Sequence, residues 1–245
     1  MVQDSLGRMK EKPRYGGVFT ISPFRAVRNF DPTGDHPSGG LTLMLTHERL
    51  GIGDWMQGPL GTGKISWWTS LSHYDVFAGN LAESWEFVDD ETLVFHIRKG
   101  VHWQVIPGRE ASGVVGGREM TADDVVFWLE RYYQDSRSWL LPRTSEEERP
   151  VSITATDKYT VVLKSHPDLE HGAYRIIEYP IRQLNIGNPP ETFDKYGEDV
   201  MLDWRKHVGT GPFIMTDFVP GSTSTFVRNP NYWDSYVFND KKYEI

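Results

Sequence analysis

The chain has 245 residues, enough for one large domain or two ordinary ones, and its 13% aromatic content excludes a wholly disordered polymer. Against 26 Lys and Arg stand 34 Asp and Glu, a net charge of −8 with no cationic stripe, which excludes the basic face that phosphate-backbone binding requires. With no cysteine there can be no disulfide, thiolate metal site or cysteine nucleophile, and no apolar run approaches the roughly 18 residues of a membrane span.

In chain order, residues 1–13 read as a flexible polar tail without the apolar core of a signal peptide, so an export signal is expected outside this chain. Gly17-Val18-Phe19-Thr20-Ile21 predicts a first strand, followed by a Pro- and Gly-rich loop from Ser22 to Gly40. Leu41–Leu50 carries apolar residues at helical spacing, and a Gly-rich stretch follows from Gly51 to Gly63. Trp85–Val88 and Leu93–Ile97, with the acidic break between them, predict a β-hairpin whose inner face holds Leu93, Phe95 and Ile97.

Gln104–Gly117 reads as a long loop, ending where Thr121-Ala122-Asp123-Asp124 supplies a helix-start box. Val125, Trp128, Leu129, Tyr132 and Tyr133 then place one apolar face on a helix reaching about Gln134. A second hairpin is predicted at Val151–Ala155 and Thr160–Lys164. Helical pieces around Leu169–Ile177 and Glu191–Tyr196 and strands at Pro212–Phe218 and Ser224–Arg228 follow, so the class is mixed α/β.

Catalytic readings are weak on their own residues. Gly58–Ile65 nearly spells a phosphate-binding loop, but Ile65 stands where a hydroxyl must meet Mg²⁺, and no apolar strand precedes it. The eight histidines show no compact ligand spacing, which leaves most of them as surface or strand residues, and His47-Glu48 is only a neighbouring pair. No Gly-x-Ser-x-Gly elbow occurs, and the Asp89-Asp90 and Asp123-Asp124 pairs have sufficient structural work in a turn and at a helix start. No catalytic residue, metal site or cofactor is expected; an α/β hydrolase or nucleotide-dependent enzyme is the alternative. Trp67 and Trp68 cannot both face one core if extended, so stacking on a ligand and anchoring the loop are both open to them.

Four ordered pieces carry a family resemblance: Leu81–Trp85; His96–Trp103; Met120–Val125; and Val208–Phe213 closing on Arg228–Trp233. Together they resemble the extracellular solute-binding proteins of ABC importers, in the large peptide/nickel/oligopeptide-binding family. Gln104–Gly117 departs from the pattern by its length, and full members continue beyond the Asn229–Trp233 motif into a second lobe.

The resemblance implies the first lobe of a two-lobed, type II-like periplasmic-binding-protein fold, with the second lobe absent. Residues 14–47 and 166–245 would form the lobe I core and 48–165 an inserted α+β subdomain. It implies a peptide or other small organic ligand captured by lobe closure and delivered to permease subunits outside the cytoplasmic membrane, with oligosaccharide or metal-chelate cargo on the same fold as a variant. The loop after the first strand would face the ligand, which singles out Phe24, Arg25, Arg28 and Asn29; Phe213, beside Gly209-Thr210-Gly211, would lie near the hinge.

Overall fold

The computed structural model describes residues 1–3, 7–11, 16–22, 27, 29–34, 40–54, 76–238 and 241–244. Strands β1 (Val2–Gln3) and β2 (Met9–Lys10) form a small ribbon. Helix α1 (Gly40–Thr46) leads into β3 (Glu48–Arg49) and β4 (Gly51–Gly53), and β4 pairs with β5 (Phe77–Gly79). At the centre lies a four-stranded antiparallel sheet made of β6 (Ala82–Phe87), β7 (Thr92–Ile97), β8 (Ser152–Asp157) and β9 (Thr160–Lys164), in spatial order β6-β7-β9-β8. The two predicted hairpins therefore join through β7 and β9, with Leu93 opposite Leu163 and Phe95 opposite Val161.

Between β7 and β8 run α2 (Glu110–Val115) and α3 (Ala122–Gln134). Leu93, Phe95, Ile97, Val161 and Leu163 from the sheet and Val125, Trp128, Leu129 and Tyr132 from α3 are all buried in one core. Each such side chain contributes about 1.5–3 kcal/mol by leaving water. Asp124 fixes the start of α3, taking the Thr121 N–H at 2.8 Å, and Arg118 grips the same carboxylate through two nitrogens at 2.8 and 2.6 Å.

The chain continues through α4 (Gly172–Ile176), α5 (Glu178–Arg182), β10 (Asn185–Ile186) and α6 (Pro190–Tyr196). Strands β11 (Phe213–Val219) and β12 (Thr223–Arg228) then form a hairpin, and β13 (Ser235–Phe238) pairs with β14 (Lys241–Glu244). Arg118 extends from Asp124 to Glu191 on α6, so one guanidinium ties α3 to the last third of the chain.

Three expectations need correction. Gly17–Ile21 forms no strand: Val18 is 96% and Phe19 86% exposed, and no described strand lies alongside to complete a ladder. Apolar alternation supplies a strand's faces, whereas its hydrogen bonds must come from a partner. The Gln104–Gly117 stretch contains α2, stopped by Gly116 in the left-handed region at φ 65°. Finally, the helix expected over Leu41–Leu50 ends at Thr46, because Glu48 and Arg49 pair with β10.

Candidate functional site

The β3–β10 ribbon joins distant parts of the chain: Glu48 lies opposite Ile186, and Arg49 opposite Asn185. Successive strand residues face opposite sides, and here they separate a buried Glu48 from a half-buried Arg49. Glu48 takes the Tyr232 hydroxyl at 2.8 Å and the Trp233 indole N–H at 3.0 Å. Arg49 donates to the Arg182 carbonyl at 2.6 Å and the Asn185 side-chain oxygen at 3.3 Å. Burial pushes the Glu48 carboxyl above its usual range, opposed by the Trp233 and Tyr232 donors, and burial lowers the Arg49 guanidinium.

Beside this ribbon stands a histidine pair. His47 and His207 are both buried, their ring centroids 5.4 Å apart at 89°, and His207 also meets the Phe30 ring edge-on at 4.6 Å. The Asn188 side-chain oxygen accepts the Val208 N–H at 2.9 Å and lies 3.3 Å from His47 Nε2. An acceptor there assigns the hydrogen to Nε2, leaving Nδ1 to accept from the Thr46 hydroxyl at 2.8 Å. Neither ring nitrogen of His207 has a hydrogen-bond partner among the described residues. Burial lowers the His47 pKa to about 4; burial, followed by the nearby His47 and Arg109, places His207 well below the ordinary histidine value. Both rings are neutral at pH 7, so the expectation of surface or strand histidines fails for these two.

From His207 the chain runs through Val208-Gly209-Thr210-Gly211-Pro212 into β11. The glycines allow it to lie against the end of α1: a Cβ on Gly209 would sit 1.8 Å from the Thr46 carbonyl oxygen, and one on Gly211 2.7 Å from the Thr46 carbonyl carbon. The Gly211 N–H donates to the Thr46 oxygen at 3.0 Å. On the far side, Asn229 donates its backbone N–H to Pro212 at 2.7 Å and its side-chain N–H to Gly211 at 3.1 Å. The Asn-Pro-Asn-Tyr-Trp motif is thus joined to the Gly-Thr-Gly-Pro-Phe motif at one end and to Glu48 at the other.

Two of the residues singled out from the sequence fall at this junction. Phe213 is half-buried and opens β11 opposite Arg228. Asn29 is half-buried, and its side-chain oxygen accepts the Asp31 N–H at 3.3 Å. The following residue, Phe30, packs with Leu43 and Met215 in a small second core, which places the Asn29 segment beside β11. Phe24, Arg25, Arg28, Trp67 and Trp68 lie outside the described residues, as does the Gly58–Ile65 stretch.

Glu48, Asn188 and His207 were not singled out, apart from the observation that His47 and Glu48 are neighbours. Their sequence contexts are ordinary, and the motif ending at Tyr232-Trp233 does not show which distant group receives those donors. Among the described residues no group of three His, Asp or Glu side chains is placed to hold a metal ion. Buried rings with lowered pKa values and backbone staples make this a positioning junction.

The family model for bacterial extracellular solute-binding proteins, family 5, matches residues 76–243, and the chain belongs to that family. Its members are solute-binding proteins rather than enzymes. Heme-binding protein A of Haemophilus influenzae is 27% identical over 176 residues, covering 62% of this chain and 28% of that protein. Di/tripeptide-binding protein 1 of Pseudomonas aeruginosa is 25% identical over 163 residues, with 62% and 29% covered.

Among solved structures, Haemophilus influenzae OppA in complex with a peptide matches with TM-score 0.58 and 20% identity over 85% of this chain and 37% of that one. An oligopeptide-binding protein of Thermotoga maritima matches with TM-score 0.59 and 22% identity over 86% and 33%. The fold is therefore that of one partial lobe of a type II periplasmic binding protein, and the chain spans under a third of the length of these curated relatives.

Proposed function

We propose that this chain supplies part of the first lobe of the solute-binding component of an ABC importer and presents one wall of a cleft that closes on a peptide. The observation that carries the reading is the family match over residues 76–243, whose two terminal motifs meet at the Gly209–Phe213 junction. Solute-binding proteins of this architecture trap their ligand by hinge closure between lobes. A rigid wall suits that action, because a preorganised surface loses less entropy when a ligand docks.

Residues 14–47 and 166–245 serve as the lobe I core and 48–165 as a subdomain set into it. Asn29 and Phe213, with Phe24, Arg25, Arg28, Trp67 and Trp68, form the ligand-facing set. The partners are a peptide and the permease subunits, and the working place is the periplasmic or outer side of the cytoplasmic membrane. In accord with this, relatives carry di/tripeptide- and dipeptide-binding names, and no described helix is long and apolar enough to cross a membrane.

Half a cleft binds weakly. Di- and nonapeptides at millimolar concentration should slow amide exchange at residues 29–33 and 209–213 of this chain, with no nanomolar affinity in calorimetry. Unchanged exchange there, or nanomolar capture by this chain alone, would count against the proposal.

A further inference from the structure

The carbonyl groups of His207, Gly209, Gly211, Phe213 and Met215, every second residue through the junction, all accept hydrogen bonds from two residues of one short segment. Gln104 donates its backbone N–H to Gly209 at 2.9 Å and its side-chain N–H groups to Gly211 and Phe213, each at 2.9 Å. Arg109 donates one guanidinium nitrogen to His207 at 3.3 Å and another to Met215 at 2.6 Å. Alternate carbonyls on one side are what a neighbouring strand would engage; here a glutamine and an arginine do the work of that strand.

The segment bearing them is itself braced. Gln104 is buried, the Ser112 hydroxyl on α2 donates to its carbonyl at 2.9 Å, and the Ser112 hydroxyl oxygen in turn accepts the Ile106 N–H at 2.7 Å. Arg109 forms no ion pair among the described residues; its guanidinium lies 5.2 Å from the Trp204 ring centroid, and its donors go to backbone carbonyls. These residues belong to the stretch whose length departs from the family pattern. We propose that Gln104 and Arg109 are positioning residues: α2 and the turn before it form a clamp that sets the path of residues 207–215, and thereby how Phe213 meets the ligand.

The ligand half of this inference rests on the solute-binding reading; the clamp does not. Its test is amide exchange of this chain without ligand. Gln104→Leu retains bulk and removes both side-chain donors, while Gln104→Glu retains shape and turns an acceptor toward two carbonyls. The Val208 and Gly211 amides should exchange at least tenfold faster in Gln104→Leu and faster still in Gln104→Glu, with Val125–Leu129 of α3 unchanged.

Arg109→Lys keeps the charge but cannot span two carbonyls with a planar fork, and should accelerate the same amides. Unchanged junction amides in Arg109→Lys and in either folded Gln104 variant would overturn the clamp, as would equal acceleration of α3. Millimolar peptides that protect residues 209–213 in the parent chain should protect them at least fivefold less in Arg109→Lys. Equal protection would overturn the ligand half. If peptides protect nothing even in the parent, the solute-binding reading falls while the exchange comparison still judges the clamp.

Discussion

The indole N–H of Trp233 meets the carboxylate of Glu48 at 3.0 Å across a separation of 185 residues, closing the described chain on itself. The contact satisfies a buried acceptor with neutral donors, so each partner is costly to remove alone and tolerant of a like-shaped neutral replacement. Glu48→Ala should lose about 2–4 kcal/mol of unfolding free energy, because both Trp233 and Tyr232 are left without an acceptor. Glu48→Gln should stay within about 1 kcal/mol, its amide oxygen facing Trp233 and its NH₂ facing the Tyr232 oxygen. Urea titrations at pH 7 separate the two; equal losses would refute the pairing.

The buried histidines predict an acid-sensitive fold. The His47 pKa falls to about 4 in the folded state, against 6.5 for the free side chain. The unfolded chain therefore takes up protons first, and stability is full above pH 6.5 and lost as pH falls toward 4, at about 1.4 kcal/mol per unit for each buried ring. Glu48 acts in the opposite sense: with its folded pKa raised, its contribution is greatest at acid pH and declines as pH rises through that value. Urea midpoints from pH 7.5 to 4.5 in a Glu48→Gln background isolate the histidines, and adding His47→Gln should remove about one proton's worth of slope. An unaltered slope would show that the ring titrates normally.

Glycines 209 and 113 make a matched pair. Gly209→Ala drives a methyl group into the Thr46 carbonyl and should cost about 3 kcal/mol or more, since neither backbone can yield cheaply. Gly113, inside α2 with open space around its absent Cβ, should accept alanine with a gain of about 0.5–1 kcal/mol from helix propensity. Thermal melts of the two variants should move in opposite directions.

Arg118 and Arg137 test burial as the arbiter of ion-pair strength. Arg118 holds Asp124, whose side chain is only 2% exposed, and its own pKa is raised by the hydrogen bonds to Asp124 and Glu191. Arg118→Ala strands that carboxylate and should cost about 2–4 kcal/mol, after allowance for the partly exposed guanidinium. Arg137 pairs with Asp135 and Glu198 but is itself 56% exposed, so Arg137→Ala should cost about 1 kcal/mol or less. Similar denaturation midpoints for the two variants would contradict this.

Local signals made much of the fold legible. Alternation marked both hairpins, because one strand face is apolar, and the box at Thr121–Asp124 marked the start of α3, because its first amides need acceptors. Such signals did not reach α2, whose six residues carry too few apolar positions to show a helical period, nor the fate of Gly17–Ile21, which depends on a partner strand. Of the junction, the Gly209-Thr210-Gly211 string was visible, because glycines so spaced mark a close backbone approach. Glu48, Gln104 and Arg109 were not, since polar groups held within the fold are recognised by their partners, and those named here lie 98 to 184 residues away.

The sequence by itself determined the composition class, the hairpins, the long helix and the family motifs, all properties of neighbouring residues or of short ordered strings. Only tertiary structure decided that the hairpins share one sheet, that burial lowers the pKa values of His47 and His207, and that two residues before α2 donate hydrogen bonds to five carbonyls of the junction. The reason is physical: periodicity is written within a few residues, whereas desolvation and hydrogen-bond satisfaction depend on which distant groups fill the remaining space.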